Sequence, residues 1–155
     1  MNAYETYLHW LSSPAISEEE RAELRAIEGD ENEILSRFAS YLSFGTAGLR
    51  GTMKAGTNAM NVHTVAQAPQ GLANLILRDG RADDGVVIAY DSRTNSPLFA
   101  RPAASVLAAN GIGVYLFDGL RPTPELSFAL RHLKCVAGIN ITASHNPKAY
   151  NGYKA

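Results

Sequence analysis

Four stretches of the sequence hold residues whose types and spacing could carry chemistry. In the first, Thr142-Ala143-Ser144-His145-Asn146-Pro147 follows an apolar run. Pro147 restricts Asn146 to extended backbone, which predicts the Ser144 hydroxyl on a stiff, exposed turn. A serine hydroxyl is a weak nucleophile until a base, a cation or a metal assists it, and His145, Lys154 and Arg50 are the candidate assistants. Neighbouring residues of an extended segment point to opposite sides, so His145 reads better as a contact to substrate than as the direct base of Ser144. The second stretch, Gly45-Thr46-Ala47-Gly48-Leu49-Arg50-Gly51, would let backbone amides approach an anion while Arg50 offers a two-pronged fork to phosphate. A purely structural glycine turn accounts for the same residues. The other two, Asp91-Ser92-Arg93 and Asp118-Gly119-Leu120-Arg121, each follow an apolar run and also read as ordinary loop polarity.

Several familiar sites do not match. The glycines lack the three-glycine dinucleotide spacing and the Gly-Lys-Ser/Thr ending of a nucleotide loop. Ser144 lies between Ala143 and His145, not within the Gly-x-Ser-x-Gly elbow of a serine hydrolase. Lys and Arg number 14 against 15 Asp and Glu, so there is no basic field for a nucleic-acid backbone, and no nucleic-acid partner is expected. The single cysteine, Cys135, excludes an intrachain disulfide and reads as a buried, inert thiol. No apolar run approaches the ~18 residues of a membrane span, and the first residues lack the pattern of a secretory signal, so no membrane partner and a cytoplasmic location are expected.

The elements that must position these residues follow from periodicity. Residues 1–43 read as an N-terminal helical extension, with capping patterns at Ser17/Glu20 and Asp30/Glu33. Residues 44–155 then form the domain that carries the chemistry. Its glycine-rich start is too rich in glycine for a helix and is expected as loop with one short strand. A helix is expected over 61–78, kinked or broken at Pro69. Beyond it, strands at 85–91, 113–118 and 136–142 alternate with helices starting at Ser96-Pro97 and Thr123-Pro124, where Ser96 and Thr123 read as caps. Each strand is a continuous apolar run, the mark of a strand covered on both faces. The expected fold is a three-layer α/β/α domain with a mostly parallel, mixed sheet. In such a sheet ligands bind beyond the carboxyl ends of the strands, where the polar stretches lie.

Two motifs together, FGTAGLRG at 44–51 and TASHNPKAYNGYK at 142–154, resemble the first-domain signatures of the α-D-phosphohexomutases, which include phosphoglucomutases, phosphomannomutases and phosphopentomutases. Asp91-Ser92-Arg93 and Arg121-Pro122-Thr123-Pro124 resemble segments between them, and the long lead before FGTAGLRG is most similar to the phosphoglucomutase and phosphopentomutase branch. The resemblance implies that Ser144 is a phosphoserine, which passes its phosphoryl group to a sugar monophosphate and takes another back through a sugar bisphosphate such as glucose 1,6-bisphosphate. It further implies proton transfer by Lys154, phosphate contact by Arg50, active-site contacts by Thr46 and His145, and Mg²⁺ held in part by the phosphoryl oxygen on Ser144. Family members bring a metal loop, a sugar-selecting loop and a phosphate-holding loop from domains II to IV, and none of these motifs occurs in this sequence. The chain is therefore expected to be one domain, short at its C-terminal side, of a longer protein and inactive alone. The rival reading is a non-catalytic sugar-phosphate binding or interaction module on the same fold.

Overall fold

The computed structural model describes residues 1–46 and 48–155. Ala47, within the glycine-rich stretch, lies outside the described residues. Three of the apolar runs become strands: β2 (Val86–Tyr90), β3 (Val114–Leu116) and β4 (Ala137–Ile141). Two strands flank them, β1 (Leu49–Thr52) from the glycine-rich segment and β5 (Tyr150–Lys154). The sheet order is β1-β5-β4-β2-β3. β4, β2 and β3 run parallel, whereas β5 is antiparallel to both of its neighbours.

Helices cover both faces. On one side α4 (Val62–Arg78) and α5 (Ser96–Ala109) enclose a core with Val86, Ile88, Ile139 and Ile141, all essentially inaccessible. On the other, α6 (Thr123–His132) supplies Leu126 and Ala129 against Val87 and Ala89. Alternate residues of β2 thus face opposite layers, and each buried aliphatic side chain is worth about 1.5–3 kcal/mol. The α/β/α expectation holds.

Details of several elements differ from the sequence reading. β3 is an edge strand whose Tyr115 and Leu116, pointing to opposite faces, are both exposed, so its apolar run does not mark cover on both faces. α5 and α6 begin at their supposed caps, one residue earlier than expected, with Asn95 and Pro122 in the cap positions. The Ser96 and Thr123 hydroxyls instead bond across the fold, Ser96 to Asp91 and Thr123 to the amide of Asn140. α4 is capped by Asn61 and continues through buried Pro69 without a break.

Before β1 lie α1 (Ala3–Ser12), α2 (Glu18–Arg25) and α3 (Glu31–Phe38), so helix ends at Phe38 rather than reaching residue 43. The Ser17/Glu20 capping box forms. At Asp30 only half of the box forms, because the Glu33 carboxylate turns to Arg37 and Lys54 instead. Tyr7, Leu24, Ile34 and Phe38 build a second small core that reaches the rest of the chain at Ala55.

Candidate functional site at the carboxyl ends of β2 and β4

β2 and β4 are parallel neighbours, and their carboxyl ends place Asp91 beside Thr142. The Thr142 hydroxyl donates to Asp91 Oδ2 at 2.5 Å and accepts the Ser144 amide at 3.0 Å. Asp91 Oδ1 accepts the Arg93 amide at 3.0 Å and the Ser96 hydroxyl at 2.9 Å. One carboxylate therefore ties together two strand ends and the first turn of α5. Buried Asn151, on β5, adds a further tie by donating to Ser96 Oγ and to the Thr94 carbonyl.

Ser144 stands on a turn closed by the Asn146 amide donating to the Ala143 carbonyl at 3.1 Å. It is exposed, and its φ is +54°, in the left-handed region that non-glycine residues seldom occupy. The sequence reading expected extended backbone here, which places neighbours on opposite sides. The turn removes that argument about His145, which is exposed and whose side chain has no hydrogen bond among the described residues. Thr46 is likewise exposed, with no side-chain hydrogen bond among the described residues.

Lys154 reaches Ser144 from β5. Its ammonium donates to Ser144 Oγ at 2.7 Å. Asn140 lies opposite Lys154 in the β4–β5 register, so the strand that leads into the serine turn also faces the lysine's backbone. Arg50, on β1 opposite Gly152, donates to Asn146 Oδ1 at 3.1 Å, two residues from the serine. Gly48 makes this packing feasible: its φ is +126°, and a Cβ there would lie 1.9 Å from the Tyr153 carbonyl oxygen. The structure thus brings Ser144, Lys154 and Arg50 together at one seam.

Sequence reasoning missed Arg93, which it left as loop polarity. Its guanidinium donates to the carbonyls of Ser144, Asn146 (2.6 Å), Pro147 (3.1 Å) and Tyr150 (3.2 Å). A charged residue directly after a buried strand was the available signal. A shallow depression lined by Asp91, Ser92, Arg93, Thr94, Ser144, Asn146 and Lys148 opens over the turn. Its cations and its unprotected hydroxyl suit an anionic ester more than an apolar ligand. Asp118, by contrast, pairs with Arg121 at 3.2 Å on a solvated surface.

Among the described residues there is no group of three or more His, Cys, Asp or Glu placed to hold a metal. Nor is any described helix long and apolar enough to cross a membrane. Cys135 is buried, and burial, with the charge of Asp84, pushes its thiol up, as an inert thiol requires.

Residues 41–155 match the family described as phosphoglucomutase/phosphomannomutase, alpha/beta/alpha domain I. A phosphoglucomutase of Staphylococcus saprophyticus is 50% identical over 124 residues, covering 80% of this chain and 22% of that protein. A phosphopentomutase of Mus musculus is 40% identical over 156 residues, covering 96% of this chain and 25% of its own length. A solved Thermus thermophilus structure, provisionally named a phosphomannomutase, superposes with a TM-score of 0.66 at 38% identity, over 74% of this chain and 25% of that one. The chain thus spans about a quarter of the length of the relatives it matches. With its α/β/α layers and the TASHNP turn at the end of β4, the chain belongs to the phosphoglucomutase/phosphomannomutase family, in the part that corresponds to domain I.

Proposed function

We propose that this chain supplies the phosphoserine of a sugar-phosphate mutase, with Ser144 as the residue that carries the phosphoryl group. The observation that carries the reading is the 2.7 Å hydrogen bond from Lys154 Nζ to an exposed Ser144 Oγ. In the transfer, a sugar hydroxyl oxygen forms a bond to phosphorus and releases its proton to water or to a base from beyond these residues, while the bond from phosphorus to Ser144 Oγ breaks. The serine oxygen keeps the electron pair and needs a proton, which the Lys154 ammonium is placed to give. In the return direction the same nitrogen takes the proton back as Oγ attacks. Arg50 lies where its fork could meet oxygens of the moving group once Asn146 releases it. Thr46 and His145, exposed near the same seam, serve as contacts to the sugar ester.

Phosphoryl transfer depends on positioning and on charge placed around the moving group, and this site offers both. The Mg²⁺ that the family implies fits here only in part. Both oxygens of Asp91 are engaged by Thr142, Ser96 and the Arg93 amide, which leaves a phosphoryl oxygen on Ser144 as this chain's ligand. A magnesium ion there would offset charge on the moving phosphoryl group, with its other oxygen ligands drawn from beyond these residues. On this reading the substrate is a sugar phosphate with its phosphate on C1 or on the terminal hydroxyl. A sugar bisphosphate is the intermediate, domains II to IV complete the site, and the location is cytoplasmic.

The reading is tested on the full-length protein, by intact mass after incubation with glucose 1,6-bisphosphate and Mg²⁺. One added phosphoryl group that maps to Ser144, and is lost in Ser144→Ala, is the expected result. Bisphosphate binding with no mass gain at any time point would move the assignment to a non-catalytic binding module.

A further inference from the structure

We infer that Arg93 is the positioning residue of the nucleophile: it holds the Ser144 backbone in its left-handed conformation and so aims Oγ at Lys154. This rests on the reading of Ser144 as the phosphoryl carrier. A left-handed serine is strained and persists only where its surroundings impose it. The imposing contacts come from one guanidinium. Arg93 Nη2 takes the carbonyls of Ser144 and Asn146, and Nη1 takes those of Pro147 and Tyr150. The four carbonyls bracket the turn from its first residue to the start of β5, so one planar group sets the loop's path between β4 and β5. The other face of the turn is held independently, by Thr142 Oγ1 on the Ser144 amide.

Arg93 itself cannot drift. Its side chain is 16% exposed, its amide is fixed by Asp91 Oδ1, and its Nε lies 4.0 Å from Asp91 Oδ2. Asp91 in turn grips Thr142, so amide and carbonyl of Ser144 are both referred back to one carboxylate just beyond β2. The guanidinium's terminal nitrogens are committed to backbone carbonyls, which assigns Arg93 to geometry and leaves phosphate contact to Arg50 and Lys154. A lysine at this position keeps the charge, but its ammonium is a single point that cannot serve four carbonyls on two nitrogens.

Two variants separate geometry from charge. If Arg93 acts by positioning, Arg93→Lys and Arg93→Gln lose function to the same extent. If it acts through its charge, Arg93→Lys is spared. A displacement of about 1 Å costs on the order of 100-fold in rate. In the full-length protein we expect both variants to take the phosphoryl group from glucose 1,6-bisphosphate about 100-fold more slowly at saturation, with half-saturation within about threefold of the parent. Independently of turnover, the Ser144 ¹³Cα and ¹³Cβ shifts should leave the left-handed range in both variants, while core resonances of Ile88 and Ile139 stay in place. Arg93→Lys with parental rate and unchanged Ser144 shifts would overturn the inference. If parental Ser144 never gains phosphate, the phosphoserine reading fails, and the shifts still decide whether Arg93 sets the turn.

Discussion

Replacing Gly48 by alanine should dismantle the site without touching any of its reactive groups. The new Cβ would sit 1.9 Å from the Tyr153 carbonyl oxygen and 2.9 Å from Lys154 Cα, both backbone atoms of β5. An ordinary carbon–oxygen contact is about 3.3 Å, so β5 must retreat by roughly 1.4 Å at that point. Alanine at φ +126° adds strain of about 1–3 kcal/mol, and overpacking adds about 1–3 kcal/mol. A total near 4 kcal/mol corresponds to a drop in Tm of roughly 8–16 °C for a chain of this size. Because the moving backbone carries Lys154, its 2.7 Å contact with Ser144 should open beyond hydrogen-bonding range. Thermal melting followed by circular dichroism and the Lys154 side-chain ¹⁵N resonance report the two effects. Gly71→Ala is the control: it lies on an exposed face of α4 with nothing within 4 Å of the added methyl, and should gain about 0.5–1 kcal/mol. A Gly48→Ala protein melting within about 2 °C of the parent, with the Lys154 resonance unmoved, would refute the crowding argument.

Lys154→Met should leave the fold intact and, in the full-length protein, slow phosphoryl transfer to Ser144 by about 10²–10⁴-fold, read by quenched-flow intact mass; a loss below about tenfold would remove Lys154 as the proton carrier. The Tyr153 hydroxyl is buried and has no hydrogen-bond partner among the described residues, and burial pushes its phenol well up. Tyr153→Phe removes an unpaired polar group and should raise stability by about 1 kcal/mol in urea titration, whereas a drop of that size would reveal a partner. Lys54 and then Arg37, each hydrogen-bonded to Glu33, hold its carboxyl below the usual glutamate range. The stability this contributes is whole above the unfolded value near pH 4.3 and is lost as pH falls through the lower folded value. Trp10, which meets Phe38 edge-on, reports the packing of the N-terminal helices, and Glu33→Gln should flatten the loss of its native fluorescence as pH falls below about 4.3. An unchanged slope would assign acid sensitivity to other groups.

Legibility in the sequence followed the physics of each element. Val86–Tyr90 and Ala137–Ile141 are apolar at nearly every position because helices cover both faces, and they were readable as parallel strands. Tyr150–Lys154 was not readable as a strand, because Asn151 and Gly152 have poor strand propensity. Asn151 is there for its bonds to Ser96 and Thr94, and Gly152 because a Cβ would meet the carbonyl oxygens of Thr142 at 2.7 Å and Leu49 at 2.9 Å. The cap reading failed at Ser96 and Thr123 because hydroxyls that suit a helix start equally suit a partner on another strand. At the site, Ser144, Lys154 and Arg50 could be named from residue type and motif. Arg93 could not, since its role lies in carbonyls more than fifty residues away, which no local pattern encodes.

The placement of β5 between β4 and β1 also orders events in time. Among the described strands β1 pairs only with β5, and Arg50 meets Gly152 about a hundred residues later in the chain. At a synthesis rate of roughly 5–20 residues per second, the glycine-rich segment waits on the order of 5–20 s for its partner strand to be made. Four residues with an exposed arginine make a poor template for a foreign chain during that interval. The serine, too, is made before its lysine, so a nascent chain acquires a partnered hydroxyl only after the sheet has closed around it.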